Sequence, residues 1–123
     1  MNLVDSSGWL EYFSIGTNAD FFVPVIEDTE SLIVSAINLY EVFKKVLKEK
    51  DKNSALEAVG IMQQAKVIDV NNSIAVNAAK ISYEHRLPMA DSIIYATALQ
   101  NEAIVWTQDE DFKDLGGVKY IKK

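Results

Sequence analysis

The sequence predicts an α/β protein in three layers, with a mainly parallel sheet of four or five strands between helices. Three observations carry this. Short apolar runs rich in β-branched residues recur along the chain at Leu3-Val4, Leu32-Ile33-Val34, Val67-Ile68 and Ile104-Val105-Trp106. Such runs are typical of strands covered on both faces. Between them lie stretches with apolar residues three and four apart, the period of a helix that buries one stripe. Strands joined by helical crossovers are βαβ units, which impose parallel pairing and helices on both faces. With 123 residues, 49% of them hydrophobic, the chain reads as a single folded domain over 1–123.

The elements follow in order. Asn2-Leu3-Val4 forms a strand ended by Asp5. Ser7 to Phe13 is helical, with Ser7 as its N-cap. Residues 17–28 give another short helix and a loop near Pro24. Ser31 to Ser35 is a buried strand, and Ser35 caps a long helix reaching about Lys50. The stripe of that helix is Leu39, Val42, Phe43, Val46 and Leu47. Asn53 to Ala65 is a second amphipathic helix with Leu56, Val59, Ile61 and Met62 inward. Val67 to Val70 is a strand. Asn72 to about His85 is helical, and Pro88 marks its break and the start of a helix from Met89 to Asn101. Ile104 to Thr107 is a strand, Asp109 to Leu115 a turn or short helix, and Val118 to Ile121 a final strand. Gly8, Gly16, Gly116 and Gly117 fall at element edges; Gly60 lies inside a helical pattern.

Composition removes several chemistries. There is no cysteine, hence no disulfide, thiolate nucleophile, Cys-zinc site or iron–sulfur cluster. His85 is the only histidine; it stands where a helix ends and reads as a C-terminal cation. No apolar run approaches the roughly 18 residues of a membrane span. Asp5 interrupts the N-terminal apolar residues, so no secretory leader is expected and the expected location is cytoplasmic. A net charge of −6 argues against broad adhesion to nucleic acid, which needs a basic face. It leaves room for a nucleic-acid enzyme whose acidic site is neutralised by cations, because setting four carboxylates aside leaves a remainder of only −2.

Four carboxylates stand out. Asp5 lies at the carboxyl end of the first strand, where α/β sheets place their sites; the same position suits a helix cap or an Asx turn. Asp91 falls within the apolar arc of its helix, between Ile94 and Tyr95 and close to Ala98. A carboxylate there requires a cation, a set of donors or a proton. Asp109 begins the acidic run Asp109-Glu110-Asp111 after a strand, which is either a helix N-terminus or a ligand loop. Glu41 falls on the lysine side of its helical wheel, and by pattern alone it is a solvated partner of Lys44 or Lys45. Carboxylates converging on one pocket repel, and Mg²⁺ or Mn²⁺, which favours oxygen ligands, relieves that conflict. The chemistry implied is phosphoester hydrolysis.

Four segments, Leu3-Val4-Asp5-Ser6-Ser7, Ser35 through Glu41, Leu87-Pro88-Met89-Ala90-Asp91-Ser92-Ile93-Ile94-Tyr95-Ala96-Thr97-Ala98 and Thr107-Gln108-Asp109-Glu110-Asp111-Phe112, resemble the PIN domain. Within it they are similar to the VapC-like toxin ribonucleases of toxin–antitoxin pairs. The likeness spans nearly the whole chain and includes the closing Phe112 to Ile121. It implies a metal-dependent endoribonuclease with RNA as substrate. Asp5 and Asp91 would be the core Mg²⁺ or Mn²⁺ ligands, Asp109 a fourth acid reaching the metal directly or through water, and Glu41 the completing member. Ser6 and Thr107 would be supporting donors and Asp111 a weaker ligand. It also implies a homodimer and a cognate antitoxin that occludes the groove. Arg86 is the only arginine, which leaves Lys44, Lys45, Lys48, Lys50 and Lys52 as RNA contacts; read plainly, the same run is a solvated helix face. Trp9, Tyr12 and Phe13 read as packing residues.

Two other classes compete. A phosphoacceptor receiver would carry paired acids after its first strand and a lysine beside a late proline; this chain has one Asp there and no proline after Pro88. A non-catalytic module of the same fold would have no need to keep four like charges together.

Overall fold

The computed structural model describes residues 1–123. Its five strands are β1 (Asn2–Val4), β2 (Leu32–Ser35), β3 (Lys66–Ile68), β4 (Ile104–Thr107) and β5 (Val118–Tyr120). Its six helices are α1 (Ser6–Ser14), α2 (Ala19–Glu27), α3 (Ala36–Glu49), α4 (Lys52–Met62), α5 (Asn72–His85) and α6 (Met89–Gln100), with 3₁₀ turns at Thr29–Ser31 and Glu110–Phe112. The sheet runs β3-β2-β1-β4-β5 and every pairing is parallel. Leu3 is opposite Ile33 on one side and Val105 on the other.

Alternation along the strands divides the core. Val4, Leu32 and Val34 face the helices that contribute Trp9, Phe22, Val42 and Met62. Leu3, Ile33 and Val105 face Ile94, Tyr95 and Ala98 of α6 and Phe112 of the second turn. Helix α5 packs on α6 through Ile74, Ala78 and Ala96. Helices therefore cover both faces of the sheet, the three-layer arrangement expected.

The ends of the elements differ from expectation in instructive ways. The cap of α1 is Asp5, whose side chain accepts from the Ser7 N–H; Ser7 itself is inside the helix. Ser35 caps α3 as expected, and Asn38 completes a reciprocal capping box. Pro24 does not break the chain: α2 runs through it. Pro24 and Asp20 are both exposed, so the carbonyl deprived of a partner by the proline lies on the solvent side. Gly8 lies within α1, not at its edge; a Cβ there would be 2.6 Å from Val4 Cγ1 and 2.7 Å from Phe22 Cε1. Gly117, at φ +73°, turns the chain into β5.

Two inward sets need correction. In α4 the buried residues are Ala55, Ala58 and Met62, while Leu56 and Ile61 are exposed. In α3 only Val42 of the expected stripe is fully buried, and Leu47 is exposed.

Candidate functional site

The strand order reverses beside β1: β2 lies on one side of it and β4 on the other. Connections leaving two such strands diverge and leave a crevice at their carboxyl ends. Asp5 follows β1, and Thr107-Gln108-Asp109 ends and follows β4. The Asp5 N–H donates to the Trp106 carbonyl oxygen at 2.9 Å, tying the two strand ends together.

Asp5 is 2% exposed. Its Oδ2 accepts from Ser7 Oγ at 2.6 Å, Thr107 Oγ1 at 2.9 Å and the Ser7 N–H at 3.3 Å. All three bonds fall on one oxygen; Oδ1 takes none. Burial pushes the carboxyl up to about 6, against the pull of the Ser7 and Thr107 hydroxyls, with further upward contributions from Asp109 and Glu41.

Asp91 lies in the first turn of α6 and is half-buried. Desolvation raises its carboxyl to about 8, and the charges of Asp5, Asp109, Glu41 and Asp111 raise it in that order. Carboxylate oxygens of Asp91, Asp109 and Asp111 lie within 4.8 Å of one another. Asp109 also caps the second 3₁₀ turn through the Asp111 N–H at 2.9 Å. The cap and ligand-loop readings of this segment therefore coexist: one oxygen holds the turn and the turn brings Asp111 in.

Glu41 departs from its helical-wheel reading. It is half-buried and accepts from Ser6 Oγ at 2.8 Å. Lys45 pairs with Glu49 instead, at 2.9 Å, the only ion pair in the chain. None of Asp5, Glu41, Asp91, Asp109 and Asp111 forms an ion pair with a lysine or arginine. Sequence reasoning missed three residues here. Asn38, fully buried, donates from Nδ2 to Ser6 Oγ at 2.9 Å. The Ser7 hydroxyl serves Asp5. Gln108, 6% exposed, donates its N–H to Ser7 Oγ at 3.4 Å and accepts from Asn18 Nδ2 at 3.0 Å. Only Asn38 left a local signal, the Ser35-x-x-Asn38 spacing of a capping box.

This donor set fits a hard divalent cation. Its candidate ligands are oxygens, Asp5 Oδ1 is left without a donor, and Asp5 and Asp91, raised first by burial and then by neighbouring acids, would be relieved by a cation. A cavity of about 390 Å³, lined by Ser7 and Gln108 and by as many glutamates as lysines, adjoins Asp5 through Ser7.

The comparisons agree with this architecture. The PIN domain family profile matches residues 3–118; the chain belongs to the PIN domain family. Among solved structures it is similar to a toxin–antitoxin complex from Klebsiella pneumoniae at 22% identity, with 97% of this chain and 96% of that one covered and a TM-score of 0.81. VapC20 of Mycobacterium tuberculosis, a Sarcin-Ricin loop cleaving toxin, matches at 17% identity over 100% of both chains with a TM-score of 0.83. DNA-bound VapBC from Salmonella typhimurium matches at 17% identity, covering 99% of this chain and 98% of that one, with a TM-score of 0.77. No curated protein matches the sequence. No helix is long and apolar enough to cross a membrane.

Proposed function

We propose that the chain is a Mg²⁺- or Mn²⁺-dependent endoribonuclease and the toxin of a toxin–antitoxin pair. The observation that carries this is the convergence of Asp91, Asp109 and Asp111, whose carboxylate oxygens lie within 4.8 Å of one another, with the charges of Asp5 and Glu41 bearing on Asp91 and no ion pair to any of the five. Asp5, Asp91 and Asp109 hold the ion, with Glu41 completing the set and Asp111 at its edge. A divalent cation bound there neutralises the acids and supplies the Lewis acidity that phosphodiester hydrolysis requires. The Ser7 and Thr107 hydroxyls fix Asp5, and the Ser6 hydroxyl fixes Glu41. Lys44, Lys45, Lys48, Lys50 and Lys52, all exposed along α3 and the start of α4, attract the RNA backbone. The toxin–antitoxin structures with the same fold support an antitoxin partner for this chain, which acts as a homodimer in the cytoplasm.

The test uses protein freed of any antitoxin. Wild type should cleave RNA in the presence of Mn²⁺, and Asp5→Asn and Asp91→Asn should each abolish cleavage with an unchanged circular dichroism spectrum. Undiminished cleavage by both variants refutes the reading. A wild type that neither cleaves RNA nor binds Mn²⁺ at millimolar concentration is a non-catalytic interaction module.

A further inference from the structure

The bonds around Glu41 form a chain with a single direction. The Ser35 N–H donates to Asn38 Oδ1 at 3.0 Å. Asn38 Nδ2 donates to Ser6 Oγ at 2.9 Å. Ser6 Oγ donates to Glu41 Oε1 at 2.8 Å. Each link constrains the next. A backbone N–H can only donate, so the Asn38 atom it meets is the carbonyl oxygen, and the amide nitrogen must point the other way. An amide nitrogen also only donates. The Ser6 oxygen therefore accepts from Asn38 Nδ2, and its own O–H donates to Glu41. Asn38 and Ser35 are 0% exposed and Ser6 is 7% exposed, so water does not compete for the two bonds of Asn38.

We propose that Asn38 is a positioning residue for the metal site: acting through Ser6, it sets the place and orientation of the Glu41 carboxylate. The inference rests on the metal-site reading above and adds a residue that touches neither ion nor substrate. Asn38 is more than a cap for α3. A cap needs only its Oδ1 on the Ser35 N–H, whereas Nδ2 is directed away from the helix end, at a hydroxyl 32 positions earlier in the chain. Such a chain also polarises along its length, strengthening the terminal bond to the carboxylate. Glu41 Oε2 takes no bond from the protein and is the oxygen left for a cation.

The test is a set of Mn²⁺ titrations by calorimetry on free wild type, Asn38→Ala, Glu41→Gln and Asn38→Ala/Glu41→Gln, with RNA cleavage measured in parallel. Loss of a group supporting a ligand typically weakens metal binding about 10- to 100-fold. Asn38→Ala should fall in that range in the wild-type background and have no further effect once Glu41 is Gln. If Asn38→Ala melts too low to titrate, Asn38→Ser, which leaves a hydroxyl in the space, takes its place in both backgrounds. Unchanged Mn²⁺ affinity in a folded Asn38 variant overturns the proposal. An equal loss in the Glu41→Gln background also overturns it, because Asn38 would then act through the fold at large. The nuclease reading fails separately: wild type that binds Mn²⁺ with the Asn38 dependence described, yet cleaves no RNA, keeps the positioning role and loses the ribonuclease. Wild type that binds no Mn²⁺ overturns both.

Discussion

At the scale of single residues, the site works through hydroxyls whose protons are aimed by other groups. Thr107 Oγ1 accepts the Asp109 N–H at 2.9 Å and so presents its own proton to Asp5. Ser7 Oγ accepts the Gln108 N–H and does the same. Donors to a carboxylate favour its charged form, and without them burial would carry Asp5 further upward. Thr107→Val, nearly the same in shape, should therefore raise the Asp5 midpoint above about 6 in the ion-free protein, observed as a ¹³C carboxyl titration by NMR. An unmoved midpoint would show that Thr107 does not govern this charge. The readability of these residues in the sequence tracks how local their physics is. Asp91 was legible because its apolar arc lies within one helix. Glu41 was illegible because its partner is 35 positions away, and a helical wheel drawn on α3 shows only the lysines beside it.

Among the elements, the tight seat of α1 on the sheet is the feature most open to a stability test. Gly8 lets the helix approach Val4 and Phe22 at distances that admit no side chain. Gly8→Ala should destabilise the fold by roughly 1–3 kcal/mol, the usual effect of overpacking, even though alanine is the better helix former. Thermal or urea unfolding measures it, and a variant as stable as wild type would mean that α1 moves outward without cost. Helix α4 teaches the complementary lesson. Its inward face is Ala55, Ala58 and Met62, turned toward the core that also holds Val42 of α3. Ranking residues by hydrophobicity picked Leu56 and Ile61 instead, which sit on the exposed side. The strands were easier to read: short runs rich in β-branched residues, bounded by helical stretches, point to strands, and all five were recovered to within a few residues.

For the molecule as a whole, the acids tie stability to pH and to metal. Asp5 and Asp91 rise from 3.8 in the free amino acid range to about 6 and about 8 in the fold. Between those values the folded protein holds protons that the unfolded chain has released. Stability of the metal-free protein should therefore be highest below about pH 4 as far as these groups are concerned, and decline as pH rises toward 8. Mn²⁺ should reverse the decline. At 100 times its dissociation constant it adds about 2.7 kcal/mol near pH 8, and far less near pH 4, where the carboxyls are protonated. Melting curves across pH, with and without Mn²⁺, check this. Asp91→Asn should raise the metal-free melting temperature at pH 8 and blunt the response to Mn²⁺. A metal-free protein that grows more stable from pH 5 to 8 would contradict the coupling of these two groups.

The placement of β1 between β2 and β4 also governs when the acidic site can be assembled during synthesis. Asp5 precedes Thr107 by 102 positions, so the strand that completes its surroundings, and with it Thr107, Asp109 and Asp111, leaves the ribosome well after it. A nascent fragment short of β4 has half a pocket and an unpaired central edge. The acidic site is therefore withheld from incomplete chains, a delay built into the order of the strands.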